Sequence, residues 1–352
     1  MLDFSVVTET AVLLDPAGQR QAQQIEHRTD PLTGTVASFN LALGEKAKVL
    51  LGTADLAMLG ELEEKSKTGC PFCAAADKGT RYPPEHAPHF PGGGQLRRGG
   101  TVAMPNLFSK CAIDSVVILD TGRHVLFPSK IGREGLANAV TVSADVVRRA
   151  RALGPSLLHH VVGMNFLQPG GSSVPHPHFQ VHVRAIPFSG VARTLQAAEG
   201  FRQRTGRGYF DVLLEEERAL GTRLIGQSGD RGQVQWLAPF APAHQKEVWG
   251  VLPGCSSLAA LDDAGCAAFA EGVDKVISAY EASGAHPFTF AFFSSPSPDD
   301  AAGFALHLRL CARPAFRALY SNFDTWFTPK FIGDDVHTEA PEQVAARLRA
   351  RW

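Results

Sequence analysis

The chain has 352 residues, 44% of them hydrophobic and 20% charged, which is enough for a large core or for two subdomains of ordinary size. With 34 basic against 35 acidic residues, the net charge of −1 leaves no global field to hold nucleic acid or a membrane surface, whereas a small phosphorylated ligand needs only a local site. No run of about 18 apolar residues occurs, and the opening MLDFSVVTET lacks the basic start and apolar run of a signal peptide, so a soluble cytoplasmic protein is expected.

Of the six cysteines, Cys111, Cys255, Cys266 and Cys311 are scattered, which argues against the dense disulfide framework of a small secreted domain. The close pair Cys70-Pro71-Phe72-Cys73 asks for a metal or a redox explanation. Residues 74–100, rich in Gly, Pro and charge without an apolar period, read as a long loop. A β-rich run follows over 101–120, then a turn at 121–124, a helix of about 20 residues around 143–156, and two strands within 157–166 and 177–187. The second half repeats this order: 234–254 answers the first strand pair, 262–283 the helix, and 288–314 the last two strands. VPHPHFQVHVRAIP compares with GFALHLRLCARP, both strands ending at an Arg/Ala/Pro exit. The pattern predicts one α+β unit duplicated within the chain, as two matched half-barrels over 1–195 and 196–352 that build one continuous, antiparallel-rich sheet flanked by helices.

The run His176-Pro177-His178-Phe179-Gln180-Val181-His182 puts its polar side chains at every second position, on one face of a strand, with Phe179, Val181 and Val183 on the other. Preceded by Gly170-Gly171-Ser172-Ser173, such a face is hard to bury without a ligand, since each unpaired polar group in a core costs roughly 1–3 kcal/mol. An imidazole with its ordinary pKa of about 6.5 is mostly neutral at pH 7 and is then a good nucleophile. The backbone N–H groups and hydroxyls of Gly171, Ser172 and Ser173 sit where a phosphate cradle would be needed.

The stretch from Asn165 to Gln180 resembles the signature of the galactose-1-phosphate uridylyltransferase family of the histidine-triad superfamily, an asparagine followed by His-Pro-His-x-Gln. In that superfamily a histidine at the third alternate position marks hydrolases, and a glutamine marks transferases and dinucleoside polyphosphate phosphorylases. Gln180 falls with the latter. The resemblance implies histidine-triad-like halves, with His178 attacking the α-phosphorus of a nucleotide donor and handing the nucleotidyl group to a phosphorylated acceptor. It implies that Gln180 donates to a phosphoryl oxygen without relaying a proton to water, that Asn165 and Ser173 contact the donor phosphates, and that His182 belongs to the substrate-binding set. Cys70, Cys73, His124 and His176 match the family's positions for a structural zinc tying the cysteine segment to the nucleophile strand.

In the family's nucleoside-contact strand, Asn106 and Phe108 match and Leu107 replaces an aspartate. His27–Gly34 resembles the family's opening His-Arg-x-x-Asn-Pro-Leu-Thr-Gly, but Ser38-Phe39-Asn40-Leu41 lacks the family's donor-binding arginines, which leaves Arg97 and Arg98 as candidates to supply the charge. PEQVAARLR reads as a C-terminal helix. A second metal, held in some members by a glutamate and three histidines, is expected to be missing, since only His307 survives and Thr194, Phe293 and Arg309 stand near the other positions. Family members are commonly dimers, which carries a homodimer as an expectation.

Three readings follow. The leading one is a nucleotidyltransferase that uses a nucleoside diphosphate sugar, or a similar donor, and a sugar phosphate or other small phosphorylated acceptor. The second is a dinucleoside polyphosphate phosphorylase, with inorganic phosphate as acceptor. The third is a nucleotide-binding protein with a retired active site, against which the intact His178, Gln180 and Ser173 count. A thioredoxin-type redox role for the cysteine pair lacks the strand-then-helix context.

Overall fold

The computed structural model describes residues 1–40, 42–44, 52–297, 303–322 and 325–352. The chain opens with a hairpin, β1 (Val6–Leu14) and β2 (Arg20–Thr29), followed by β3 (Val36–Phe39). Helix α1 (Leu56–Lys67), N-capped by the Asp55 carboxylate accepting from the Met58 N–H, leads to the cysteine pair. Then come β4 (Leu96–Arg98), β5 (Thr101–Pro105), β6 (Ile113–Ile118), α2 (Arg133–Leu153), β7 (His159–Phe166) and β8 (His178–Arg184). Helices α3 (Ser189–Thr205) and α4 (Tyr209–Leu220) lead to β9 (Leu224–Ser228), β10 (Val234–Leu237), β11 (Val248–Leu252) and α5 (Asp263–Ala282). The chain closes with β12 (Phe288–Phe293), β13 (Leu306–Ala312), β14 (Asp335–His337) and α6 (Pro341–Arg349).

Ten strands form the main sheet in the order β4-β5-β6-β8-β7-β12-β13-β11-β10-β9, with neighbours antiparallel throughout. Counted outward from the β7–β12 seam, the halves run β7, β8, β6, β5, β4 and β12, β13, β11, β10, β9, the same element order on both sides. Helix α2 packs on β4, β5, β6 and β8, α5 packs on β9, β10 and β11, and the two helices lie against each other. The apolar side of β8 explains this layer: Phe179, Val181 and Val183 are fully buried in the core with Val140, Val146 and Val147 of α2. Each such large side chain contributes roughly 1.5–3 kcal/mol on leaving water. The other side of β8, carrying His178, Gln180 and His182, is left for the site.

Not all of the sheet is continuous. A separate four-stranded sheet, β1-β2-β3-β14, joins the two ends of the chain, with β3 and β14 parallel. Its first two strands are largely exposed on both faces and offer no apolar stripe with which to enter the main core. The segment 74–100 carries short helical turns at 75–78, 84–86 and 91–94 and then the edge strand β4, so Arg97 and Arg98 belong to a strand rather than to a loop. Helix α3 runs across residues 195 and 196, where the halves were divided on the sequence. Among the described residues no helix is long and apolar enough to cross a membrane.

Candidate active site

The site is built where β8 emerges beside the turn that ends β7. Leu167 takes a positive φ of 62° at the end of β7, and its carbonyl accepts from both Gly170 N and Ser172 N, each at 3.0 Å. Gly171 has φ 88°, a conformation open to glycine at little steric cost, and a Cβ on Gly170 would stand 2.8 Å from the Phe288 carbonyl. The glycine pair therefore lets the turn lie on β12. Ser172 spends its hydroxyl on the Val174 carbonyl at 2.8 Å, whereas Ser173 lines a cavity of about 480 Å³. His178, Gln180, Phe72, Asn106, Phe108, Lys78 and Lys110 line the same cavity. Asn165, on β7, lies under the turn, with its side chain 3.6 Å from where a Gly171 Cβ would be.

The tautomer of His178 follows from its neighbours. Its Nδ1 lies 2.7 Å from the His176 carbonyl, which can only accept, so Nδ1 carries the proton and Nε2 keeps its lone pair. Burial lowers the pKa of the ring, which holds it neutral, and Phe72 packs edge-on to it at 4.9 Å between centroids. Phe72, inside the cysteine pair, was missed on the sequence because a phenylalanine between two cysteines carries no chemical signal of its own.

Beside the start of β8, Cys70, Cys73, His124 and His176 converge. The Sγ atoms of Cys70 and Cys73 both lie 3.6 Å from His176 Nδ1, Cys73 Sγ lies 3.5 Å from His124 Nδ1, and the two Nδ1 atoms are 3.2 Å apart. His176 Nε2 donates to the Asp120 carbonyl at 3.0 Å, and His124 Nε2 lies 2.7 Å from Ser66 Oγ, whose own proton goes to the Leu62 carbonyl. Both Nδ1 atoms are thereby left bare and aimed at one another. Two facing lone pairs repel until a cation sits between them, and two thiols able to bind it as thiolates stand beside them, so the donor set fits a tetrahedral metal site with its outer partners in place. Without a cation, burial and then the Cys70 thiol beside it push Cys73 up to about 11.

The remaining sequence candidates lie elsewhere. Arg97 donates to the Ala76 carbonyl and to Gln95 Oε1, Arg98 pairs with Asp263 at 3.1 Å, and neither lines the cavity; Lys78 and Lys110 are the cations that do. Within 27–34, Arg28 bonds Glu342 of α6 at 2.9 Å and Asp30 accepts from Leu32 N and Thr33 N, which is structural work. Of Ser38–Leu41, Ser38 bonds His27 Nδ1 at 2.8 Å, Asn40 bonds Gln23, and Leu41 lies outside the described residues. His307 is fully buried among Phe210, Trp249, Phe293 and Phe304, with its Nε2 taken by Arg309 Nε at 3.3 Å. Thr194 spends its hydroxyl on the Gly190 carbonyl.

A ten-stranded antiparallel sheet bearing a neutral histidine over a glycine-serine turn has the fold of the galactose-1-phosphate uridylyltransferase group, as the sequence resemblance implied. The structure is similar to that of the ADP-glucose phosphorylase of Arabidopsis thaliana with bound ADP-glucose, at 18% identity and a TM-score of 0.67 over 92% of this chain and 98% of that one. It is also similar to a uridylyltransferase structure, at 21% identity and a TM-score of 0.64 over 77% of this chain and 93% of that one. At these identities the likeness shows the fold. An uncharacterized protein of Archaeoglobus fulgidus is 26% identical over 357 residues, 100% of this chain and 99% of its own length. No family model matches.

Proposed function

We propose that this chain is a nucleotidyltransferase that moves a nucleoside monophosphate from a nucleoside diphosphate sugar to a phosphorylated acceptor through a covalent bond to His178. The observation that carries the reading is the bare Nε2 of His178 on the cavity wall, fixed by the His176 carbonyl and set beside Gln180 and Ser173. Nε2 forms a bond to the α-phosphorus as the bond to the bridging oxygen breaks, and the sugar phosphate leaves with the electron pair. An acceptor phosphate oxygen then attacks the same phosphorus, and the P–N bond breaks to return His178 neutral.

Gln180 donates its amide N–H to a phosphoryl oxygen and has no proton to give water near pH 7. Ser173 holds the phosphates from one side; the Gly171 and Ser172 N–H groups expected to cradle them are spent on the Gln168 and Leu167 carbonyls, and Lys78 and Lys110 supply the positive charge that Arg97 and Arg98, held elsewhere, do not. A zinc ion held by Cys70, Cys73, His124 and His176 would act structurally, locking His176 and through its carbonyl the His178 ring. The matching strand orders support a reading of the chain as two copies of one histidine-triad-like unit, the second lacking the nucleophile.

The test is intact-mass analysis after incubation with ADP-glucose, UDP-glucose and dinucleoside polyphosphates. Wild type gains one nucleoside monophosphate from one of them, and His178→Ala, still folded, gains none. A wild-type chain that never carries label, combined with sequential kinetics, sinks the covalent mechanism.

A further inference from the structure

At the far side of the cavity, the turn that follows β5 is held by one buried carboxylate. The Asp114 side chain, on β6, is fully buried; its Oδ1 accepts from Asn106 Nδ2 at 3.2 Å and its Oδ2 from the Lys110 N–H at 2.8 Å. The Asp114 carbonyl accepts from the Asn106 N–H at 2.8 Å, and Asn106 Oδ1 in turn accepts from the Phe108 N–H at 3.1 Å. The orientation of the Asn106 amide is thus forced, because a carboxylate only accepts and a backbone N–H only donates. One N–H and one lone pair of that amide stay free, on a residue that lines the cavity, and the Phe108 ring stands 80% exposed beside them. The buried counter-charge comes from β8, where His182 Nδ1 lies 3.4 Å from Asp114 Oδ1, and the exposed Lys110 Nζ stands 3.7 Å from Oδ2.

We propose that the buried Asp114–His182 pair is a positioning device for the nucleoside-binding turn 106–110, setting affinity for the nucleotide donor rather than the rate of phosphoryl transfer. The inference rests on the nucleotidyl-transfer reading and gives His182 a role through Asn106 and Phe108. Without His182 the buried carboxylate keeps only the exposed Lys110 Nζ at 3.7 Å, too weak a partner to keep water or a proton out of the turn, and the Asn106 amide is released, while His178, Gln180 and Ser173, which lie outside the turn 106–110, keep their places. The groups facing His182 are Asp114 on β6 and Lys110 and Cys111 on the turn; across in β7 stands Val161, which is uncharged. Hydrogen bonds to Asp114 and then Cys111 raise His182 to about 9, and those to His182 and Lys110 outweigh burial to keep Asp114 low. The sign is that of a raised histidine: the cation is present below about pH 9 and lost above it, so the pair weakens as pH climbs through that value.

The experiment measures kcat and KM with whichever of ADP-glucose and UDP-glucose labels the enzyme, for wild type, Asp114→Asn, His182→Gln and His182→Lys, with metal content and melting temperature alongside. Donor KM rises on the order of tenfold in the first two variants, the size of one lost interaction, with kcat and acceptor KM within about twofold of wild type. His182→Lys, which keeps a cation, restores most of the affinity, and wild-type donor KM rises above pH 9. Should a variant fail to fold, the wild-type pH profile and the lysine variant still decide. A fall in kcat with KM unchanged, no change in either constant, or the loss of one metal equivalent in His182→Gln, which would make Cys111, Asp114 and His182 a metal site, overturns the inference. Wild type that is labelled by neither donor removes the transfer reading and this inference with it, whereas normal labelling with unchanged KM in the variants removes this inference alone.

Discussion

Two residues divide the chemistry of β8 between them, and each can be changed without touching the core. His178 presents one lone pair, and Gln180, the next residue on that face, presents an amide that cannot titrate. A histidine at 180 could pass a proton to the leaving group or activate water, so the nucleotidyl-histidine would drain to solvent. In Gln180→His, transfer should fall on the order of 10²–10³-fold, the loss of one aligned donor to a developing oxyanion. Nucleoside monophosphate should appear without acceptor, and release no faster than in wild type would count against this account of Gln180. Gly171 sets a second residue-scale constraint: at φ 88° an alanine is strained, and Gly171→Ala should cost about 1–2 kcal/mol, read as a lowered urea midpoint.

At the scale of elements, the cysteine segment, the turn bearing His124 and the start of β8 meet at the four-ligand cluster. The segment between α1 and β4 contains short helical turns and little regular hydrogen bonding, so a bound ion should supply much of its order. Cys73→Ser and His176→Ala should each lower bound zinc by about one equivalent per chain and lower the melting temperature, and a strong chelator should do the same to wild type. Equal metal content in wild type and His176→Ala would reject the ligand set. The elements that proved legible are those with a strong period. The alternation of β8 came out at the right residues, because burial of one face is written directly into the order of apolar and polar side chains, and PEQVAARLR, which the family resemblance gave as a helix, forms α6. The small sheet did not, since β1 is exposed on both faces and leaves no stripe to read; helices α3 and α4 were missed although they bury Val191, Thr194, Ala198 and Phe201, and Tyr209, Val212 and Leu213, at helical spacing.

Across the whole molecule, the two halves are joined at β7–β12, and there sits a pH-sensitive contact. His160 on β7 donates through Nδ1 to the Leu158 carbonyl at 2.9 Å and takes its Nε2 bond, 2.7 Å, from the Ser294 hydroxyl just beyond β12. Burial lowers its pKa to about 4, against about 6.5 in the unfolded chain. The native state then binds fewer protons than the unfolded one across that interval. Stability is undiminished above pH 6.5 and falls as pH drops toward 4, by roughly 3 kcal/mol at most from this group. Urea midpoints between pH 7 and pH 4.5 should fall in wild type and fall less steeply in His160→Gln; parallel slopes would remove His160 from the account. Gly163 belongs to the same seam, where a Cβ would stand 2.7 Å from the Phe290 carbonyl.

By itself the sequence determined the face of β8 that carries His178 and Gln180, the glycine turn, the four metal-ligand candidates and the repeated order of elements. All of these are local patterns, fixed by the spacing of side chains along one strand or turn, or matches to a known signature. Only the tertiary structure decided what fills the gaps between segments. It put Phe72 against His178, turned Arg97 and Arg98 away and brought Lys78 and Lys110 to the cavity, and closed a second sheet from the two chain ends. It also set Asp114 beneath the turn 106–110 opposite His182. These depend on which distant backbone segments approach, and a partner from another strand leaves no periodic trace in the chain that it joins.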